Sequence, residues 1–183
     1  MDFASWFDAD AGSCYAGIGS RSTPGDVLAL MEALGERLGA QGWVLRTGGA
    51  AGADQAFMAG AEKAGGGLEL YLPWPGFQGF EAETPELSAE ALELAARFHP
   101  AWGRCSSAAR SLHARNGHQV LGAQLDSPVS FVACWTPDGS LDGGARSAGG
   151  TGQALRIAAG FEVPVVNLAR ADQRSGVELL LAG

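Results

Sequence analysis

The sequence predicts an α/β fold, in which an open parallel sheet of about five strands carries helices on both faces. Three observations favour this class. Short apolar runs recur along the chain, as expected of strands that are covered on both faces. Amphipathic helical patterns separate these runs, so right-handed crossovers would keep the strands parallel. Glycine-rich segments follow three of the runs, at the points where a strand would turn into a helix.

The elements follow one another in regular alternation. The predicted strands are the apolar runs 14–18, 43–45, 68–72, 129–135 and 163–168. In the clearest helix Thr23 is a candidate N-cap, Pro24 suits the first helical position and Gly42 suits the end. Further helices are expected at 53–64, 88–98, 106–121, 152–159 and 175–181, with irregular loops at 73–87 and 136–150. No repeat or linker interrupts the pattern, which predicts a single domain over residues 1–183.

Composition and cysteine usage exclude several classes. Three cysteines form no CxxC pair and show no metal-ligand spacing, so neither a disulfide framework nor a metal site is expected. Cys14 and Cys134 lie in apolar runs and are expected in the core. No stretch approaches the ~18 apolar residues that span a bilayer, and the acidic N-terminus does not resemble a signal peptide. A cytoplasmic protein without a membrane partner or a cofactor is predicted.

Charge is unevenly distributed along the chain. The net charge of −8 disfavours a nonspecific coat on nucleic acid, because neutralising phosphates requires a basic surface. Residues 81–93 hold five glutamates and no base, whereas residues 97–125 hold no acid, four arginines and all three histidines. This basic stretch suits a small anionic ligand; alternatively, its arginines pair with the neighbouring glutamates.

The glycine-rich segments are candidates for an anion site. They read GIGSRSTPG after the first strand, RTGGAAGAD after the second and GGARSAGGTGQA after the fourth. In a sheet of order 3-2-1-4-5 all three emerge at the carboxyl edge, around the point where the strand order reverses. Backbone N–H groups and helix N-termini there favour a phosphate, and nearby arginines add charge (Arg21, Arg46, Arg146, Arg156). The alternative is that the glycines serve only tight turns.

Four segments resemble, in order, the motifs of the SLOG superfamily of Rossmann-like nucleotide-binding domains. They are YAGIGSRSTPG, LRTGGAAGADQAF, SLHARNGHQVLG and GGTGQALRIAAGFEVPVVNL. The superfamily includes the DprA DNA-processing proteins and the LOG cytokinin-activating phosphoribohydrolases. The resemblance covers roughly residues 15–168 and implies a Rossmann-like fold that binds a small phosphorylated nucleotide ligand.

Two branches of that superfamily supply the implied site. Similarity to DprA places Arg21, Gly49, Gly52 and Asp54 in the pocket. Similarity to LOG makes Arg115 a phosphate ligand and aligns a glycine motif with residues 149–152. The full set of expected ligand-binding residues is Gly19, Ser20, Arg21, Gly48, Gly49, Gly52, Asp54, Arg115, Gly149, Gly150, Thr151, Gly152 and Gln153.

The sequence also departs from the LOG pattern. Gln153 replaces the threonine of the motif, Arg156 replaces its catalytic glutamate, and the stretch 136–149 is inserted before it. N-glycosidic hydrolysis needs a carboxylate, which an arginine cannot supply. The remaining candidates for a catalytic role are Asp54, Asp138, Asp142 and Arg115, and each aspartate is equally explained as a helix cap or turn residue.

Two functions are therefore expected as alternatives. The first is binding of a phosphorylated nucleoside or nucleotide, with or without LOG-like release of the base from a nucleoside monophosphate. Tyr15, Trp74 and Phe77 are candidates for stacking on that base. The second is a DprA-like accessory factor that binds single-stranded DNA in recombination. A homodimer or higher homo-oligomer suits either function.

Overall fold

The computed structural model describes residues 11–81, 87–144 and 149–183. Five parallel strands form one sheet in the order β3-β2-β1-β4-β5, as predicted. The strands are β1 (Cys14–Gly17), β2 (Val44–Thr47), β3 (Gly67–Leu70), β4 (Phe131–Cys134) and β5 (Val165–Asn167). The helices are α1 (Gly25–Ala40), α2 (Ala53–Lys63), α3 (Ala89–Phe98), α4 (Ser107–Leu121), α5 (Gly150–Gly160) and α6 (Ala171–Ala182). Within the described residues, no helix is long and apolar enough to cross a membrane.

The core lies in two layers, one on each face of the sheet. Successive strand residues point to opposite faces, so Tyr15 packs with α1, α2 and α6, whereas Ala16 packs with α4 and α5. Tyr15 is fully buried and stacks on Phe131 with 5.7 Å between ring centroids, and Trp43 meets Phe131 edge-on at 5.5 Å. The sequence-based suggestion that Tyr15 stacks on a ligand base was therefore wrong, because its ring is enclosed at the centre of this aromatic cluster.

Several predicted boundaries shift for identifiable reasons. Pro24, not Thr23, precedes the first residue of α1, because the Thr23 hydroxyl donates to the Ser20 carbonyl and leaves the helix without a side-chain cap. β2 extends to Thr47, since Arg46 lies opposite Glu69 of β3 and its Nε is 2.7 Å from the Glu69 carboxylate. Two short 3₁₀ turns, Phe77–Gly79 and Trp102–Arg104, have no predicted counterpart.

Helices α1 and α2 approach each other closely through glycines. A Cβ atom added to Gly60 would lie 2.0 Å from the Glu32 carbonyl oxygen, and one added to Gly35 would lie 2.6 Å from the Phe57 carbonyl oxygen. Both neighbours are backbone atoms, which cannot rotate away as the end of a side chain would. The contact therefore sets how the β2–α2 connection is positioned relative to α1.

We expect Gly60→Ala to lower the free energy of unfolding by about 1–3 kcal/mol, since overpacking outweighs the better helix propensity of alanine. The matched control is Gly25→Ala, at the start of α1, where an added Cβ meets nothing within 4 Å. Chemical denaturation followed by circular dichroism measures both variants. Equal stabilities for the two variants would contradict the close packing.

Candidate functional site

A cavity of about 480 Å³ opens at the carboxyl edge of the sheet, between the β1–α1 loop, α4 and the start of α5. It lies where the strand order reverses between β1 and β4, as expected for an open α/β sheet. Its lining residues are Ile18, Gly19, Ser20, Arg21, Ser22, Ala50, Asp54, Phe77, Ala109, Leu112, His113, Arg115, Asn116, Gln119, Thr136, Pro137, Gly149, Gly150, Thr151 and Ala154. The glycine segments that follow β1, β2 and β4 all contribute to it.

A buried ion pair lies in the wall of the cavity. Arg115 Nη1 is 3.6 Å from Asp54 Oδ2, and both side chains are almost fully buried. The same Asp54 oxygen accepts hydrogen bonds from the amides of Gly48 at 3.2 Å and Ala50 at 3.3 Å. Burial raises the pKa of Asp54 against the opposing effects of Arg115 and these amides, and burial lowers the pKa of Arg115.

This arrangement explains the bare β2–α2 segment differently from the sequence-based expectation. Two of its amides already hold an anion, the carboxylate of Asp54, so they do not face a ligand. A Cβ added at Gly48 would overlap the Arg115 guanidinium and would have to displace it from its place beside Asp54. Gly49 and Gly52 have φ values of 67° and 90°, which favour glycine, and they turn the chain into α2.

Several buried donors around the cavity lack hydrogen-bond partners. Within the described residues, these are Nε of Arg115 and Nε2 of Gln119, whereas Nη1 of Arg115 has only the 3.6 Å ion pair with Asp54, and both side chains line the cavity. Burial, followed by the charges of His99 and the nearby arginines, lowers the pKa of His113 to about 4. A buried polar group without a partner is costly unless a ligand or water supplies one.

The start of α5 forms another wall. Asn116 Nδ2 donates to the Gly150 carbonyl at 2.8 Å and thereby ties α4 to this turn. No side chain caps α5, nor α1 or α2, whereas Ser88 and Ser106 cap α3 and α4. The first amides of an uncapped helix remain available to an external acceptor.

The structure brings eight of the expected ligand-binding residues to the cavity and leaves five outside its lining. Those that line it are Gly19, Ser20, Arg21, Asp54, Arg115, Gly149, Gly150 and Thr151. Gly48, Gly49, Gly52, Gly152 and Gln153 do not. Gln153 is fully buried and donates from Nε2 to the Ala95 carbonyl at 2.9 Å, so its side chain joins α5 to α3.

The residues considered for catalysis occupy different environments. Asp54 is the only carboxylate among the described residues that lines the cavity. Asp138 and Asp142 accept hydrogen bonds from the Ser140 and Gly144 amides, respectively, which makes them turn residues of the 136–149 stretch. Arg156 donates from Nε to the Phe98 carbonyl and from Nη1 to the Gly143 carbonyl, so it links α5, the end of α3 and that stretch.

The arginines near the glycine segments also lie in different environments. Arg21 is exposed, lines the cavity, and makes no hydrogen bond or ion pair with any other described residue. Arg46 instead donates from Nε to the Glu69 carboxylate and from Nη1 to the Ser127 carbonyl, the latter at 2.6 Å. It therefore does not reach the cavity. Arg146 lies outside the described residues.

An aromatic pair borders the cavity beside Arg115. Phe77 lines it and meets Trp74 edge-on with 5.2 Å between centroids, and Trp74 is 40% exposed. The Arg115 guanidinium carbon lies 5.9 Å from the Phe77 ring centroid. Of the proposed stacking residues, Phe77 is thus placed at the cavity and Trp74 supports it.

The polar stripe of α4 contains cavity residues that the sequence motifs did not indicate. Arg115 was expected, but Asn116 and Gln119 share its face and line the cavity with it. Residues spaced by three and four lie on the same side of a helix. Polar residues at those positions in a helix whose second half is buried were the available signal.

Comparisons with known proteins support the fold. No protein-family model matches the chain, and no curated protein matches it either. The structure is similar to that of the Moco carrier protein of Chlamydomonas rheinhardtii, with a TM-score of 0.50 and 19% sequence identity. The match covers 85% of this chain and 75% of the other. At this level of identity the likeness establishes the Rossmann-like α/β fold.

We expect Arg115→Met to lower the free energy of unfolding by about 3 kcal/mol, because it leaves the Asp54 carboxylate buried without its cation. Asp54→Asn in the same chain should recover at least about 1 kcal/mol of that loss, since the uncompensated charge is removed as well. Denaturant titrations of the wild type, both single variants and the double variant complete the cycle. Strictly additive effects would contradict a coupled ion pair.

Proposed function

We propose that this chain binds a small phosphorylated nucleoside or nucleotide derivative in the cavity at the carboxyl edge of the sheet. The observation that carries the proposal is the buried Arg115, which lines the cavity and whose Nε has no hydrogen-bond acceptor among the described residues, while its Nη1 has only the 3.6 Å ion pair with Asp54. A guanidinium offers paired donors that match a phosphate. A bound oxyanion would give Arg115 Nε the acceptor that the described residues do not supply.

The cavity offers two kinds of contact to such a ligand. Arg21 and the uncapped start of α5 at Gly150 and Thr151 supply positive potential and free amides for a phosphate. Phe77 supplies a flat apolar surface for a base. The volume of about 480 Å³ falls within the ~300–1,000 Å³ typical of small-molecule sites.

Membership of the SLOG superfamily is part of this proposal. The motif resemblance and the fold likeness to a Moco carrier protein both agree with a Rossmann-like domain that binds a small ligand. Of the two outcomes that the family implies, binding without hydrolysis has the stronger support. The residue at the position of the LOG glutamate is Arg156, and its guanidinium is held by the Phe98 and Gly143 carbonyls.

The DprA-like alternative is that the same edge binds single-stranded DNA. It draws support from the exposed Arg21 and from the basic stretch 97–125, although Arg115 within that stretch is buried against Asp54. A fluorescent oligonucleotide titrated at low and high salt tests it. Binding to a DNA backbone must weaken steeply as salt rises, and we expect no such binding from a chain of net charge −8.

We expect AMP or CMP to bind the purified chain with one-to-one stoichiometry in isothermal titration calorimetry. Arg21→Ala, an exposed change, should weaken the binding about tenfold to a hundredfold, because a charge-assisted hydrogen bond contributes about 1.5–3 kcal/mol. Arg115→Gln should weaken it at least as much. The matched control is Arg37→Ala, in the last turn of α1, away from the cavity.

The corresponding nucleosides separate phosphate recognition from base recognition. Adenosine and cytidine should bind more weakly than their monophosphates and should not respond to Arg21→Ala. Equal affinity for nucleoside and monophosphate, or an unchanged affinity in both arginine variants, would overturn the proposal. Chromatography of the same mixtures should show no free base. Release of base that disappears in Asp54→Asn would assign the LOG-like reaction to Asp54 instead.

A further inference from the structure

A second cluster of reactive side chains lies where α3, the Trp102–Arg104 turn and α4 meet. His99 follows α3, Cys105 follows the turn and His113 lies in α4. One ligand atom from each lies within 4.8 Å of the other two. Cys105 Sγ is 3.8 Å from both ring nitrogens of His99, and the His99 and His113 ring centroids are 4.3 Å apart.

The ring of His113 has no other assignment on its buried side. It is more than nine-tenths buried, and its Nδ1 has no hydrogen-bond partner among the described residues. A buried imidazole nitrogen without a partner is uncommon in a folded protein. Its position within reach of a thiol and a second imidazole indicates that a ligand common to the three residues is missing.

We propose that His99, Cys105 and His113 bind a zinc ion, with a water molecule at the fourth position. Two imidazoles and one thiolate are a donor set that suits this borderline-soft cation, and three protein ligands leave one position open. With Zn–S near 2.3 Å and Zn–N near 2.0–2.1 Å, a tetrahedral site spaces its ligand atoms by roughly 3.3–3.6 Å. The 3.8 Å distances between Cys105 Sγ and the His99 ring nitrogens need only a small contraction. A pair of ligand atoms at the 4.8 Å limit would need about 1 Å of side-chain movement.

Binding has a defined chemical balance. The Cys105 thiol loses its proton to solvent, because the thiolate is the ligand. His99 Nδ1 at present accepts a hydrogen bond from the Ala101 amide at 3.1 Å, and a metal ion bound through Nδ1 would replace that amide. Arg156 is the nearby cation, since its charge acts on both histidines. The negative charge of the Cys105 thiolate offsets the charge of Arg156. The Phe98 and Gly143 carbonyls, which accept hydrogen bonds from Arg156, hold its guanidinium in place.

The spacing of the three residues explains why the sequence predicted no metal site. Five residues lie between His99 and Cys105, and seven lie between Cys105 and His113, unlike the short paired spacings of zinc motifs. The turn between α3 and α4 brings them together. Trp102 lies within this turn and has the Arg110 guanidinium 5.4 Å from its ring centroid. The proposal therefore reverses the sequence-based expectation for reasons that only the fold supplies.

Zinc itself is the first probe. The full chain, stripped with a chelator and kept reduced, should bind one Zn²⁺ in calorimetry, and Co²⁺ in its place should give the near-ultraviolet absorption of a cobalt–thiolate bond. Cys105→Ser and His113→Asn should each weaken zinc binding at least about tenfold, since even partners outside the ligand shell matter that much. Cys14→Ala, a cysteine on β1, is the matched control and should leave binding unchanged.

A measurement on the unmodified chain guards against variants that fail to fold. Stoichiometric Zn²⁺ should protect Cys105 from alkylation by iodoacetamide, mapped by mass spectrometry, without altering the reactivity of Cys14. Absence of stoichiometric binding in the micromolar range would overturn the site. Unchanged binding in Cys105→Ser and His113→Asn, or unprotected Cys105 in zinc-saturated protein, would do so equally. None of these results depends on whether a nucleotide binds the main cavity.

Discussion

The buried pair of Arg115 and Asp54 is the constraint around which the carboxyl edge of this sheet is organised. Moving two charges out of water costs several kcal/mol per ion, and the attraction between them returns that cost only with good geometry and further hydrogen bonds. Asp54 obtains such bonds from the amides of Gly48 and Ala50. Arg115 does not, because its Nε remains without an acceptor among the described residues. Arg115 is also a lining residue of the cavity.

The glycine content of the β2–α2 segment follows from that pair. A side chain at Gly48 would displace the Arg115 guanidinium, and Gly49 and Gly52, both with positive φ, turn the chain into α2, whose second residue is Asp54. Two amides of the β2–α2 segment are thus bonded to an anion of the protein itself, the Asp54 carboxylate. The groups that remain for the proposed ligand phosphate lie in the β1–α1 loop, at the start of α5 and at Arg115, which come from different parts of the sequence.

The sequence predicted the sheet more fully than the site because the two depend on different information. Apolar runs and turn residues are local, so all five strands and all six helices could be inferred, and the order 3-2-1-4-5 was expected from the general pattern of doubly wound α/β sheets. Arg46 shows the limit: it stands in a glycine-rich segment, but the pairing of β2 with β3 places it against Glu69, a contact that only the strand register reveals. Tyr15 shows the same limit, since its stacking on Phe131 depends on the pairing of β1 with β4.

His113 connects the two regions that matter chemically. Its side chain lines the main cavity, and its ring centroid lies 4.3 Å from that of His99, in the turn between α3 and α4. A group that displaces this histidine at one site would also displace it at the other. Any coupling between the two sites must be reciprocal in free energy. The affinity for zinc in the absence of nucleotide tests the metal site by itself, and a change in that affinity on adding nucleotide would measure the coupling.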